Sequence, residues 1–192
     1  MTETFAPLTP ISDLTSGLAS GRTSAVGLLE TAHARAQDPA GEGKRVYLKL
    51  FSETARAEAE ASDWLRATGV PARPLEGVPI SVKDLFDVAG QVTTAGSRVA
   101  EVDPPATADA PIVARLRAAG AVITGRTNMT EFAYSGIGIN PHFGTPANPW
   151  DRKTGRVPGG SSSGAVISVT DGMAAAGIGS DTGGSVRIPS AL

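Results

Sequence analysis

Two Gly-Gly-Ser units stand near the end of the 192-residue chain, Gly159-Gly160-Ser161 and Gly183-Gly184-Ser185, with their serines 24 residues apart. Ser185 follows a small-residue stretch that suits a strand and opens one that suits a helix. Placed there, the backbone amides of Thr182, Gly183, Gly184 and Ser185 can converge on one point, helped by the positive end of the helix. Paired glycines let the backbone turn tightly and let a substrate approach without meeting a Cβ. That geometry suits an oxyanion hole with a hydroxyl nucleophile at its edge. Either unit taken singly also reads as an ordinary glycine-rich turn.

A hydroxyl nucleophile needs a base, and the usual ones are scarce. There is no cysteine, which removes disulfides, thiolate catalysis and Cys-ligated metal together. Of the two histidines, His33 falls within a predicted helix and reads as structural. His142 lies between Pro141 and Phe143 with no second metal ligand nearby. Lys83 is the base that remains. It closes the apolar run Val78-Pro79-Ile80-Ser81-Val82, where desolvation lowers a lysine pKa from its usual value of about 10.4. Lys44, Lys49 and Lys153 sit in polar or loop-like context. Lys83 also reads, more simply, as an ion-pair partner of Asp84 or Asp87.

Several local signatures are absent or misleading. No GxxxxGK[ST], GxGxxG, HExxH or SxxK pattern occurs, which leaves nucleotide hydrolysis, dinucleotide binding, zincin chemistry and penicillin-type serine chemistry without support. Gly160-Ser161-Ser162-Ser163-Gly164 fits the GxSxG nucleophile elbow, centred on Ser162. The elbow requires a strand directly before it and a histidine after it, whereas Arg156-Val157-Pro158-Gly159 precedes it and no histidine follows His142.

The elements that must position these residues follow from periodicity and breakers. Pro10 with Ile11, Leu14 and Leu18 predicts a helix capped at Thr9 and stopping near Gly21. Thr23 or Ser24 caps a second helix ending at Asp38-Pro39, and a third runs from Ser52 to Thr68. From Gly77 the apolar, β-branched VPISVKDLF suits a buried strand. Asp109 is placed to cap the helix PIVARLRAAG, which Gly120 ends, and AVITG follows as another strand. Strand, helix and strand with short connections predict a parallel βαβ unit in an α/β fold with a covered sheet. Residues 135–163 read as an ordered functional loop, SSSGAVISVTDG as a helix, MAAAGIG as a strand and GGSVRIPSAL as the opening of a further helix.

Composition narrows the partners. Lys+Arg number 17 against 19 Asp+Glu, giving a net charge of −2, so no electrostatic footprint for nucleic acid or an anionic membrane is present. With 41% hydrophobic and 19% charged residues, the chain is neither disordered nor membrane-spanning by composition. Neither a secretory leader nor a membrane span is legible, so a cytoplasmic location is the expectation. Of 23 glycines, 12 fall in residues 136–192, the stretch that holds both Gly-Gly-Ser units.

Taken jointly, GVPISVKDLFDVAG, GRTNMTEFAY, NPHFGTPANPWD, VPGGSSSGA and GSDTGGSVRIPSAL resemble the amidase signature family of serine hydrolases, in the family's order and spacing from about Pro74 to Leu192. The resemblance implies Ser185 as nucleophile, Lys83 as ultimate base and Ser161 as the bridging serine, with a cis peptide at Gly160–Ser161. It implies an oxyanion hole from the amides of Thr182, Gly183 and Gly184, and a supporting network of Ser162, Asp181 and Arg187. It implies a mixed sheet covered by helices, hydrolysis of a small-molecule carboxamide, and no cofactor or metal. Direct nucleic-acid and membrane partners are not expected, and a homodimer is compatible with it.

By the same resemblance, residues 1–70 are expected to be an N-terminal helical scaffold and 71–192 the first part of one catalytic domain, incomplete at its C-terminal end. Tyr134–Asn140 and the GGSSSGA loop depart from the GGSSGGS pattern of translation-linked amidotransferase A subunits, which favours a free-standing amidase. A catalytically inactive fragment and the A-type component of an amidotransferase stand as the alternatives.

Overall fold

The computed structural model describes residues 5–192. Helix α1 (Ile11–Ala19) starts one residue later than Pro10, which takes the N-cap position, and Thr9 turns its hydroxyl back to the Ala6 carbonyl rather than capping. Helix α2 (Ala25–Gln37) is capped as expected: the Ser24 side chain accepts from the Gly27 amide at 3.0 Å. After the short α3 (Gly43–Val46) comes β1 (Tyr47–Leu50), and then α4 (Ser52–Ala67). β1 lies inside the stretch expected to be helical scaffold. Four residues are too few to show an alternating pattern beside a helix, and pairing with a strand far along the chain decides its conformation.

The core of the fold is the predicted βαβ unit. β2 (Pro79–Lys83) leads through α5 (Pro111–Ala118) to β3 (Val122–Thr127), and the two strands pair in parallel. Asp109 does not cap α5. Its carboxylate accepts from the Ala89 amide at 2.8 Å and lies 3.0 Å from Arg117 Nε, while Ala110 takes the N-cap position. Beyond the long loop, α6 (Ser163–Thr170) is followed by β4 (Ala176–Ile178) and α7 (Arg187–Ala191). The sheet order is β1-β3-β2-β4, with β1 antiparallel to β3 and β4 parallel to β2.

Every residue of β2 and β3 is buried, as central parallel strands covered on both faces require. One cover is α2 with α4, whose Leu28, Leu29, Ala55 and Ala59 pack with Val78, Ile80, Val82 and Ile123. The other is α6, which meets β2 through a 2.8 Å hydrogen bond between the Ser81 and Ser168 hydroxyls and packs Ile167 against Val46, Tyr47 and Met173. No helix among the described residues is long and apolar enough to cross a membrane.

Two substitutions should grade the contributions of core and cap. Ile123→Ala, at a fully buried position of a central strand, should cost about 2–5 kcal/mol. Ser24→Ala, losing one cap, should cost about 1 kcal/mol. Chemical denaturation of the full-length protein measures both.

Candidate active site

β2 ends at Lys83 because the chain turns there: the Leu85 and Phe86 amides donate to the Lys83 carbonyl at 2.7 and 3.1 Å. The lysine side chain is wholly buried, and its Nζ donates to Ser161 Oγ at 2.7 Å and to Ser180 Oγ at 2.9 Å. Burial pulls its pKa down from 10.5 to about 8, with the charge of Asp181 opposing the shift. The simpler reading of Lys83 as an ion-pair partner of Asp84 or Asp87 does not hold. Asp84 accepts from Arg126 Nη1 at 2.9 Å and from the Gly96 amide at 2.8 Å, and Asp87 accepts from the Thr93 hydroxyl.

Ser161 arrives from the loop across the strand ends. The Gly160–Ser161 peptide is cis, as the resemblance implies. The loop is pinned on both sides: the Gly160 amide donates to the Gly136 carbonyl at 2.8 Å, and the Thr130 amide donates to the Ser161 carbonyl at 3.1 Å. A Cβ on Gly160 would lie 2.6 Å from Gly138 Cα, so the two backbones can approach only without a side chain there.

The second Gly-Gly-Ser turn meets the first through the backbone. The Ser162 amide donates to the Ser185 carbonyl at 3.1 Å, and Ser162 Oγ donates to the Ser180 carbonyl at 3.4 Å. Asp181 organises this turn. It accepts from the amides of Gly184, Val186 and Arg187 at 2.8–3.0 Å and takes the Arg187 guanidinium side-on at 2.9 and 3.0 Å. The Arg187 pairing, reinforced by these amides, holds the Asp181 carboxyl far below the usual carboxylate range. Gly184 sits at φ +117, a conformation open to glycine and strained for other residues.

One expectation about the turn needs correction. The helix starts at Arg187, not at Ser185. The Gly184 amide, expected in the oxyanion hole, donates to Asp181 Oδ1 at 2.8 Å here. Among the described residues, the amides of Thr182, Gly183 and Ser185 donate to no acceptor.

The fold thus brings together Lys83 and Ser161 directly, Ser185 and Ser162 through the backbone, and Asp181 with Arg187, while Thr182 and Gly183 lie in the same turn. Ser180 was missed. Its only signal is position, just past β4, whose Ile178 is in register with Val82 immediately before Lys83. The site lies at the carboxyl ends of parallel strands, where open α/β sheets bind ligands. Away from it, His33 Nε2 is 3.2 Å from the Thr124 carbonyl and His142 Nε2 is 3.2 Å from Glu131 Oε1. Among the described residues no three His, Asp or Glu side chains gather as a metal would require.

The Amidase family model matches residues 28–192. The chain is 46% identical over 180 residues to the AtzE component of 1-carboxybiuret hydrolase from Pseudomonas sp. (strain ADP), covering 94% of this chain and 39% of that protein. It is 47% identical over 139 residues to 2-amino-5-chloromuconic acid deaminase of Comamonas testosteroni, covering 72% of this chain and 30% of that one. A glutamyl-tRNA(Gln) amidotransferase component of the A type, from Anaeromyxobacter dehalogenans (strain 2CP-C), is 45% identical over 177 residues, covering 92% of this chain and 35% of that one. Among solved structures, the peptide amidase from Stenotrophomonas maltophilia superposes with a TM-score of 0.84 at 33% identity, over 95% of this chain and 38% of that one. The chain therefore spans less than two fifths of the length of each of these relatives. With the family's sequence pattern and the fold of its solved members both present, the chain belongs to the amidase signature family.

Proposed function

We propose that the protein is an amidohydrolase that cleaves a carboxamide C–N bond through an acyl-enzyme on Ser185. The observation that carries this reading is the buried contact between Lys83 Nζ and Ser161 Oγ, 2.7 Å long, on a lysine whose pKa is held at about 8. When Lys83 is neutral, the Ser161 hydroxyl can donate to the Nζ lone pair. Ser161 can then accept the proton of Ser185 as Ser185 Oγ bonds to the amide carbon.

The carbonyl oxygen gathers negative charge in that step. The free amides of Thr182, Gly183 and Ser185 are suited to receive it, and each such donor is worth about 3 kcal/mol in a related setting. Collapse of the tetrahedral intermediate breaks the C–N bond, and the relay returns the proton to the departing amine. Water then attacks the ester, frees the acid and restores the Ser185 hydroxyl. Ser162 and the Asp181–Arg187 pair hold the two serine turns in place. Ser180, accepting from Lys83, fixes the amine beneath Ser161. In this reading residues 1–70 serve as scaffold, and 71–192 carry the catalytic residues.

The identity to the A-type components of amidotransferases favours a second reading, in which the amide cleaved is that of glutamine and the ammonia passes to a partner reaction. Glutaminase activity in the full-length protein distinguishes the two: its presence, with other primary amides refused, selects the second.

Ser185→Ala in the full-length protein should lower amide turnover by about 10⁴-fold or more and abolish covalent labelling by a fluorophosphonate. Persistent labelling would remove Ser185 from the nucleophile role. Because the neutral amine is the active form, kcat/KM should rise with pH and level off above about 8, falling about tenfold per pH unit on the acid side. A flat profile from neutral to alkaline pH would overturn the lysine base.

A further inference from the structure

A cavity on the other face of the sheet holds polar groups that the catalytic reading leaves unused. Successive strand residues point to opposite faces. Arg126, in register with Val82, therefore lies on the face opposite Lys83 and its register partner Thr127. The Arg126 side chain is buried, and its Nη1 is committed, donating to Asp84 Oδ1 at 2.9 Å and to the Phe86 carbonyl at 3.0 Å. Its Nε and Nη2 are buried without an acceptor among the described residues. Asp84 is taken up elsewhere, by the Thr94 amide and hydroxyl and the Gly96 amide.

Gln91 presents the complementary deficit, since its Oε1 is buried without a donor among the described residues. Arg126 and Gln91 line one cavity of about 310 Å³, together with Thr94, Phe143, Lys49 and Glu101. Buried polar atoms left unpaired are costly and call for an explanation. The Nε–Nη2 edge can take both oxygens of a carboxylate side-on, and the Gln91 carbonyl oxygen, on the same cavity, needs an N–H or O–H.

We propose that this cavity binds a small monocarboxylate carrying an adjacent hydroxyl or amino group, the carboxylate on Arg126 and the donor on Gln91. Phe143 offers an apolar wall for the ligand's carbon skeleton. Lys49 adds a positive charge at the wall, and Glu101 a negative one that disfavours multiply charged anions such as phosphate. The guanidinium edge is shielded from solvent, so entry requires a wall side chain to swing aside. Lys49, exposed on β1, is free to do so.

The test follows the Arg126 Nε–Hε resonance in ¹⁵N-labelled full-length protein, titrated at constant ionic strength with glycolate, glycine, acetate and inorganic phosphate. Saturating shifts are expected with glycolate or glycine, and which of the two binds tells hydroxyl from amino. Acetate should bind about fivefold more weakly, the worth of one hydrogen bond, and phosphate should give no saturating shift. Gln91→Leu should erase the advantage over acetate while acetate binding persists. Non-saturating shifts for all three carboxylates, saturation by phosphate, or an advantage unchanged in Gln91→Leu would overturn the proposal. Arg126→Lys, monitored on its backbone neighbours, should lose saturation; should that variant not fold, the Gln91→Leu comparison decides alone.

Discussion

An amine with no accessible surface, contacted by two hydroxyls and no carboxylate, is the constraint around which the rest is arranged. A pKa moved from 10.5 to about 8 means that burial disfavours the charged form. The groups around the amine are held in place by a buried strand and a tied loop. Lys83 sits at the end of a strand buried on both faces, and the turn that follows begins at its own carbonyl. The loop above it is tied to Thr130 through Ser161 and to Gly136 through Gly160, which brings the Ser161 hydroxyl to the amine it meets.

Asp181 does for the second turn what the strand does for the first. One carboxylate gathers three amides and a guanidinium. It serves the amides that lead into α7, while those of Thr182, Gly183 and Ser185 donate to no acceptor among the described residues. The same bonds explain why a carboxylate near Lys83 acts on it only at a distance: Asp181 raises the lysine pKa through its charge, but its oxygens are occupied by Gly184, Val186 and Arg187. Had Asp181 paired directly with Lys83, the amine would be held as a cation, unable to accept a proton near neutral pH.

Legibility along the chain followed the range of the forces involved. Helices α2 and α4, the βαβ unit and the Ser24 cap were legible because periodicity, breakers and capping act over a few residues. Lys83, Ser161 and Ser185 could be singled out because a lysine closing an apolar run and paired glycines before a serine are local patterns. β1 was not legible, since its pairing with β3 joins Tyr47 to Thr127 across a long stretch of chain. Asp109 looked like a cap by its position, yet Arg117 and the Ala89 amide compete for it.

By itself, then, the amino-acid sequence determined which groups were available: a lysine in apolar surroundings, serines flanked by glycine, and no thiol. It also determined the α/β order that carries them to the same end of a sheet. Tertiary structure alone decided how those groups are spent. It joined Ser180 to Lys83 and gave Asp84 to Arg126. It also tied the Gly184 amide to Asp181 and, among the described residues, left one edge of Arg126 without a partner in the cavity it shares with Gln91. The reason is that hydrogen bonds between residues distant in the chain form or fail according to register and loop path, which no local pattern encodes.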